Sequence, residues 1–391
     1  MVSDVPLGAF LSGGVDSSAV VGYMARASAQ PIKTYAIGFE GGSAEQLYNE
    51  LPYARRVASL FGTDHHEVVV RPDVASLLPR LTWHMDEPVA DSAFVTTYLV
   101  SEFARRDVTV ILSGVGGDEL FGGYRRYLGN HYVERYASLP RWLRDGARAV
   151  GRALPSDRHS GALNAMRLAK GFLASADLDF EARYASYVQL MPPALARRLL
   201  RTAPAMPVDA IRDAFAQATG EDALQRMLTV DSLTQLPDDL LLLTDKMSMA
   251  VSLECRVPLL DHELVEMAAA MPEAIKVGKG KLKSAMKSAL SDLLPRDILE
   301  RKKRGFGTPM GAWLRGSLAG VVRSLLGPES VAQRGYFDPQ AVAEVVAAHG
   351  AQREDYTDAL LAMLNFEIWS RIFLDGRSYA DVEAELTSCL P

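Results

Sequence analysis

The chain has 391 residues, a length that favours two domains, and its 48% hydrophobic and 23% charged residues form the ordinary mixture of a globular protein. The formal net charge is -6 with no long basic stripe, which argues against nucleic acid as a partner, because neutralising phosphates takes clustered Lys and Arg. Two cysteines, Cys255 and Cys389, exclude a disulfide framework and a four-ligand zinc site; with Asp4 and Asp16 in the N-terminal stretch and no apolar run near the ~20 residues of a membrane helix, a cytoplasmic protein without a membrane partner is expected.

Residues 5–12 are a short apolar run ending in glycines, and residues 17–29 read as a helix. Residues 33–39 are strand-like and stop at a Gly-Gly pair. Residues 45–61 carry Leu47, Leu51, Ala54, Val57, Ala58 and Phe61 at helical spacing. A strand is expected at 65–70, helices at 74–85 and 92–105, and a strand at 108–113 before another glycine cluster. Strands alternating with helices predict an α/β fold with a doubly wound parallel sheet, whose ligands sit outside the carboxyl ends of the strands. Past residue 130 the composition shifts to Ala, Arg and Leu, with Pro140, Pro155 and Pro192-Pro193 breaking the pattern into short helices. Residues 231–391 also read as helical, including 341–349 and 358–373. The expected division is an α/β core at 1–130, a helical insertion at 131–230 and a C-terminal helical part at 231–391.

The strongest chemical signal is Ser12-Gly13-Gly14-Val15-Asp16-Ser17-Ser18, which follows a strand and opens a helix. Glycines let the backbone approach a phosphate, the first helical turn offers unpaired N–H groups and a positive dipole end, and the serines add hydroxyl donors. Asp16 among these donors would repel a polyphosphate unless a cation lay between them, so it is a candidate magnesium ligand. The plainer alternative is a tight turn with a Ser/Asp cap. The Gly-x-x-x-x-Gly-Lys-Ser/Thr loop, the Gly-x-Gly-x-x-Gly fingerprint and the Gly-x-Ser-x-Gly elbow are each absent.

The seven-residue loop resembles the pyrophosphate loop of the ATP-pyrophosphatase superfamily. Ser113-Gly114-Val115-Gly116-Gly117-Asp118-Glu119-Leu120-Phe121-Gly122-Gly123-Tyr124 resembles the second signature of the asparagine synthetase family. Asp245-Lys246-Met247-Ser248-Met249 with Glu254-Cys255-Arg256-Val257-Pro258-Leu259-Leu260-Asp261 resembles its third, and the stretch from Lys281, with Arg301-Lys302-Lys303-Arg304-Gly305-Phe306, its C-terminal segment. The resemblance implies ATP and magnesium as cofactors, adenylation of a small carboxylate, with L-aspartate as the best guess, and transfer of the acyl group to ammonia. Family members usually carry an N-terminal glutaminase domain whose cysteine follows the initiator methionine. Here Val2 follows Met1, so the expectation is a synthetase part without that domain, supplied with ammonia from solution or from a separate glutaminase chain; a homodimer is also compatible.

On that resemblance, Asp16 and Asp118 share the magnesium; Leu11, Ser12, Gly13, Gly14, Asp16, Ser17, Ser18, Ile37, Ser113 and Gly114 contact the nucleotide. Lys281, Asp118 and Glu119 serve catalysis, Lys281 by offsetting charge on the α-phosphate. A lysine run at a helix start is otherwise a solvated face, and Asp118-Glu119 otherwise a pair complementing a helix dipole. Lys302 and Lys303 would close over the pyrophosphate. One departure stands out: well-known members carry an acidic residue at the position of Val115, and valine cannot take a proton from the attacking amine. Glu119, Asp118 or a substrate group would then serve, or the task differs: the same chemistry on a natural-product, peptide or polysaccharide precursor, or nucleotide binding without catalysis.

Overall fold

The computed structural model describes residues 1–70, 73–155, 157–158, 161–202, 209–220, 222–301 and 307–390. They form two compact units. The first takes Met1–Arg71, Thr96–His131 and Ala210–Phe306; the second takes Pro72–Val95, Tyr132–Asp209 and Gly307–Pro391.

The first unit is built on a five-stranded sheet of order β3-β2-β1-β4-β5, with β1 Leu7–Phe10, β2 Lys33–Phe39, β3 Asp64–Val70, β4 Val110–Leu112 and β5 Glu254–Arg256. Every pairing is parallel: Gly8 faces Lys33 and Ile111, and Ile111 faces Cys255. Side chains alternate between faces, so Ala36, Val110 and Leu112 enter one core with Ala19, Val20 and Met24, while Tyr35, Ile37 and Ile111 enter the other with Val100 and Leu253. Burial on both faces is what a doubly wound sheet requires, and the fold expectation holds. The chain runs outward from β1 through β2 to β3, then returns to β4 on β1's other side. The crevice between β1 and β4 is the switch point where such sheets bind ligands.

The helices of this unit before residue 125 are α1 Val15–Arg26, α2 Ser43–Gln46 and α3 Leu51–Phe61, then, after α4 Val74–Met85 in the second unit and α5 Ala93–Ala104, α6 Gly117–Phe121. The single helix expected at 45–61 is two. Pro52 sits in the first turn of α3, where its missing N–H is harmless, and the Asn49 Oδ1 accepts the Leu51 N–H at 3.1 Å. Reading 231–391 as wholly helical also misses β5, a three-residue strand too short for an alternation signal.

The second unit is helical. Its α4 packs against Thr357–Trp369 and Tyr379–Ser388, and Arg158 joins Asp355 and Asp358, both at 2.7 Å. No helix among the described residues is long and apolar enough to cross a membrane.

Candidate active site

The site lies in the first unit, at the carboxyl ends of β1 and β4. The Leu11 N–H donates to the Tyr35 carbonyl at 2.9 Å, ending the strand pairing, and the chain turns through Ser12, Gly13 and Gly14 into α1. The turn is tied to itself. Ser12 Oγ and Ser17 Oγ are 3.0 Å apart, the Gly14 N–H donates to Ser12 Oγ at 3.2 Å, and the Ser17 hydroxyl reaches the Gly14 carbonyl at 3.3 Å. A short loop held this way keeps its amides in one arrangement before any ligand arrives.

The loop after β4 presses against the same turn. A Cβ at Gly114 would stand 2.7 Å from the Ser17 nitrogen and 3.0 Å from the Asp16 Cβ, so only glycine lets the two loops meet. That approach brings Asp118, in the first turn of α6, beside Asp16 in the first turn of α1. Between them stands the ammonium of Lys283, at 2.5 and 2.6 Å from the two Asp16 oxygens and 2.6 Å from Asp118 Oδ1. The Lys283 side chain is only 6% exposed. Burial pulls its pKa down, but the two carboxylates outweigh burial and hold it above the ordinary lysine value. Its backbone lies at φ 56°, a left-handed conformation costly for a residue with a Cβ. A Cβ at Gly123 would overlap both Asp118 Oδ1 and Lys283 Cε.

Glu119 joins a buried network with Tyr124. It is 2% exposed and accepts the Tyr124 hydroxyl. Burial and the Glu119 charge hold the Tyr124 hydroxyl well above its usual pKa, so it stays a donor. The Arg126 guanidinium lies 4.1 Å over the Tyr124 ring and pairs with Asp231 at 2.7 Å, and Asp231 also accepts the Tyr127 hydroxyl. Glu119 is thus the sequence neighbour of Asp118 and the acceptor of the Tyr124 hydroxyl.

Ser12, Gly13, Gly14, Asp16, Ser17, Ser113, Gly114 and Asp118 gather at one rim. The Ser18 side chain is fully buried and its N–H donates to the Gly14 carbonyl at 3.0 Å, inside the helix. Leu11 and Ile37 place their side chains in opposite cores of the sheet, leaving backbone as what they can offer a ligand. Lys281 is exposed; the lysine that enters the cleft is Lys283, two residues on. Lys302 and Lys303 lie outside the described residues. Glu254 and Arg256 pair at 2.6 Å. Burial, with a contribution from Asp245, pushes the Cys255 thiol up to about 12, which excludes it as a ready nucleophile.

The asparagine synthase family profile matches residues 1–371. The chain belongs to the asparagine synthase family. It is similar to asparagine synthetase [glutamine-hydrolyzing] 1 of Bacillus subtilis (strain 168), 31% identical over 380 residues that cover 96% of this chain and 58% of that protein. It is also similar to a putative asparagine synthetase [glutamine-hydrolyzing] of Mycobacterium bovis, 34% identical over 383 residues, 96% of this chain and 56% of the other. A more distant likeness, 24% identity over 375 residues, 88% of this chain and 55% of the other, is to amidase chry2 of Gibberella zeae. This asparagine synthase family chain therefore spans a little over half the length of the curated relatives it matches.

Two residues with direct roles in the geometry escaped the reading of this family member's sequence. Lys283 lies in the run Gly278-Lys279-Gly280-Lys281-Leu282-Lys283, where composition cannot say which lysine turns inward. Arg301 donates from Nη1 to the Ser12 carbonyl at 3.2 Å, although 289 residues separate them. Its only sequence signal is its place in the C-terminal family segment.

Proposed function

We propose that this chain is an ATP-dependent amide-forming synthetase that adenylates a carboxylate and passes the acyl group to an amine, with L-aspartate and ammonia as the leading substrates. The observation that carries the reading is the convergence of Asp16 and Asp118, from two separate loops, on one cation position beside the glycine-serine turn. Two carboxylates meeting on a single buried ammonium have the donor set of a magnesium site completed by phosphate oxygens. Magnesium, held there by Asp16 and Asp118, would neutralise the triphosphate.

The turn at Ser12–Ser18 would receive the β- and γ-phosphates on its amides and the positive end of α1. A substrate carboxylate oxygen attacks the α-phosphorus and the bond to the β-phosphate oxygen breaks, releasing pyrophosphate. Lys283, freed from one carboxylate, is the charge on hand to offset the five-coordinate phosphorus and later the tetrahedral acyl centre, the role expected of Lys281. The amine nitrogen then bonds to the acyl carbon, loses a proton, and AMP departs with the electrons of the broken C–O bond. Ammonia would come from solution or from a separate glutaminase chain.

A second reading keeps this chemistry and changes the acid and the amine. Val115 supports it, since it supplies no base where well-known family members have a carboxylate, and so does the likeness to a protein named an amidase. Carboxylate-dependent ATP–pyrophosphate exchange tests both. Exchange with aspartate supports the first, exchange only with other acids the second, and Asp16→Asn should abolish either. Exchange retained in Asp16→Asn would remove that residue from the cation position.

A further inference from the structure

We infer that Arg301 is the positioning residue of the phosphate turn: a planar tether that locks the Ser12–Gly13 peptide against the start of α3 and so sets affinity for the triphosphate tail. The inference rests on the reading of that turn as a polyphosphate site.

Arg301 is 6% exposed and makes three contacts at once. Nη1 donates to the Ser12 carbonyl at 3.2 Å, Nη2 donates to Glu50 at the N-cap of α3, and the guanidinium carbon lies 3.9 Å above the ring of Tyr53 in that helix's first turn. Glu50 is itself 14% exposed, so the pair is largely shielded from water. Such an arrangement uses all that distinguishes arginine from lysine: two donors in a fixed plane and a face that stacks on an aromatic ring.

Gly13 shows why a tether is needed. Gly13 lies at φ +69°, and a Cβ there would stand 2.5 Å from the Tyr53 carbonyl carbon and 2.7 Å from the Ala54 nitrogen. The turn therefore runs over α3 in a left-handed conformation with no side chain to wedge it. Among the described residues, the hydrogen bonds of Ser12 with Ser17 and with the Gly14 N–H, and of Ser17 with the Gly14 carbonyl, belong to the turn and α1. Arg301 links it from outside. A peptide unit is planar and trans, so a carbonyl held on one side fixes the following N–H on the other. Anchoring Ser12 O aims the Gly13 N–H, one of the amides a phosphate would meet.

The test is binding of MgATP and of AMP to the whole chain by calorimetry, in wild type, Arg301→Lys and Arg301→Gln. AMP lacks the phosphates that the turn would hold. The expected result is an ATP dissociation constant raised about 10- to 100-fold in both variants, as for loss of a charge-assisted hydrogen bond, with that of AMP unchanged. Lysine should not rescue. A purely structural role would weaken ATP and AMP together or neither, and either result overturns the inference. Should an Arg301 variant fail to fold, Glu50→Gln loosens the guanidinium without deleting it, and the same ATP-to-AMP ratio decides. Wild type binding ATP no more tightly than AMP would refute the polyphosphate site itself; wild type preferring ATP with variants that keep the preference would refute only the tether.

Discussion

Replacing Lys283 by methionine keeps an unbranched side chain one atom shorter and removes its charge. Both carboxylates touch one nitrogen at 2.5–2.6 Å, so their nearest oxygens lie at most about 5 Å apart. Two like unit charges at about 5 Å repel by about 3 kcal/mol at an effective dielectric near 20. Shorter separations would repel more, and the figure meets the low end of the roughly 3–5 kcal/mol that removing one partner of a buried pair costs. The assay is urea unfolding at pH 7 in EDTA and in excess magnesium chloride, without nucleotide. Lys283→Met in EDTA should lose about 3 kcal/mol. Magnesium should restore much of this loss in the variant and move wild type little, since the tethered ammonium already fills the position. A variant as stable as wild type in EDTA, or one whose midpoint responds to magnesium no more than wild type's, would refute the shared cation position.

Three further outcomes follow from the geometry. Gly123→Ala drives a methyl into Asp118 Oδ1 and Lys283 Cε and should cost about 1–3 kcal/mol of stability, read by thermal melting, together with loss of ATP–pyrophosphate exchange. With its thiol near 12, Cys255 should resist iodoacetamide in the native protein at pH 8, while Cys255→Ser leaves exchange intact; rapid alkylation followed by mass spectrometry would contradict this. Burial alone would raise the pKa of Asp355, but Arg158 and the Thr357 donors overcome it and hold this carboxyl well below its usual range. Its contribution is therefore present above the unfolded carboxylate value near 4 and is lost as pH falls below it; Asp355→Asn should cost about 2–3 kcal/mol at pH 7 and flatten the fall in stability between about pH 4 and pH 2, measured by urea unfolding.

Much of the α/β core was legible because its signals are local. The strand at 33–39 and the helix at 74–85 occur with the expected bounds; the strand is rich in aromatic and β-branched residues and stops before a Gly-Gly pair. The helix at 45–61 failed where a proline competes with periodicity, and β5 failed because three residues carry no period. The glycine-serine turn and the Ser113–Tyr124 segment were readable as chemistry because phosphate and cation binding demand small residues, hydroxyls and carboxylates in consecutive positions.

The amino-acid order by itself determined the parallel alternation of strand and helix, the two loops that must reach a common rim, and membership of the asparagine synthase family. All of these are written within a dozen consecutive residues at a time. Tertiary packing alone decided that Lys283 rather than Lys281 enters the cleft, that Glu119 turns toward Tyr124, and that Arg301 reaches back to Ser12. Those choices join residues such as Asp16 and Lys283, 267 positions apart, and depend on which side chain a left-handed backbone turn and the burial of neighbouring apolar groups carry inward. No periodicity or composition encodes such a pairing, because its free energy exists only once both segments are in place.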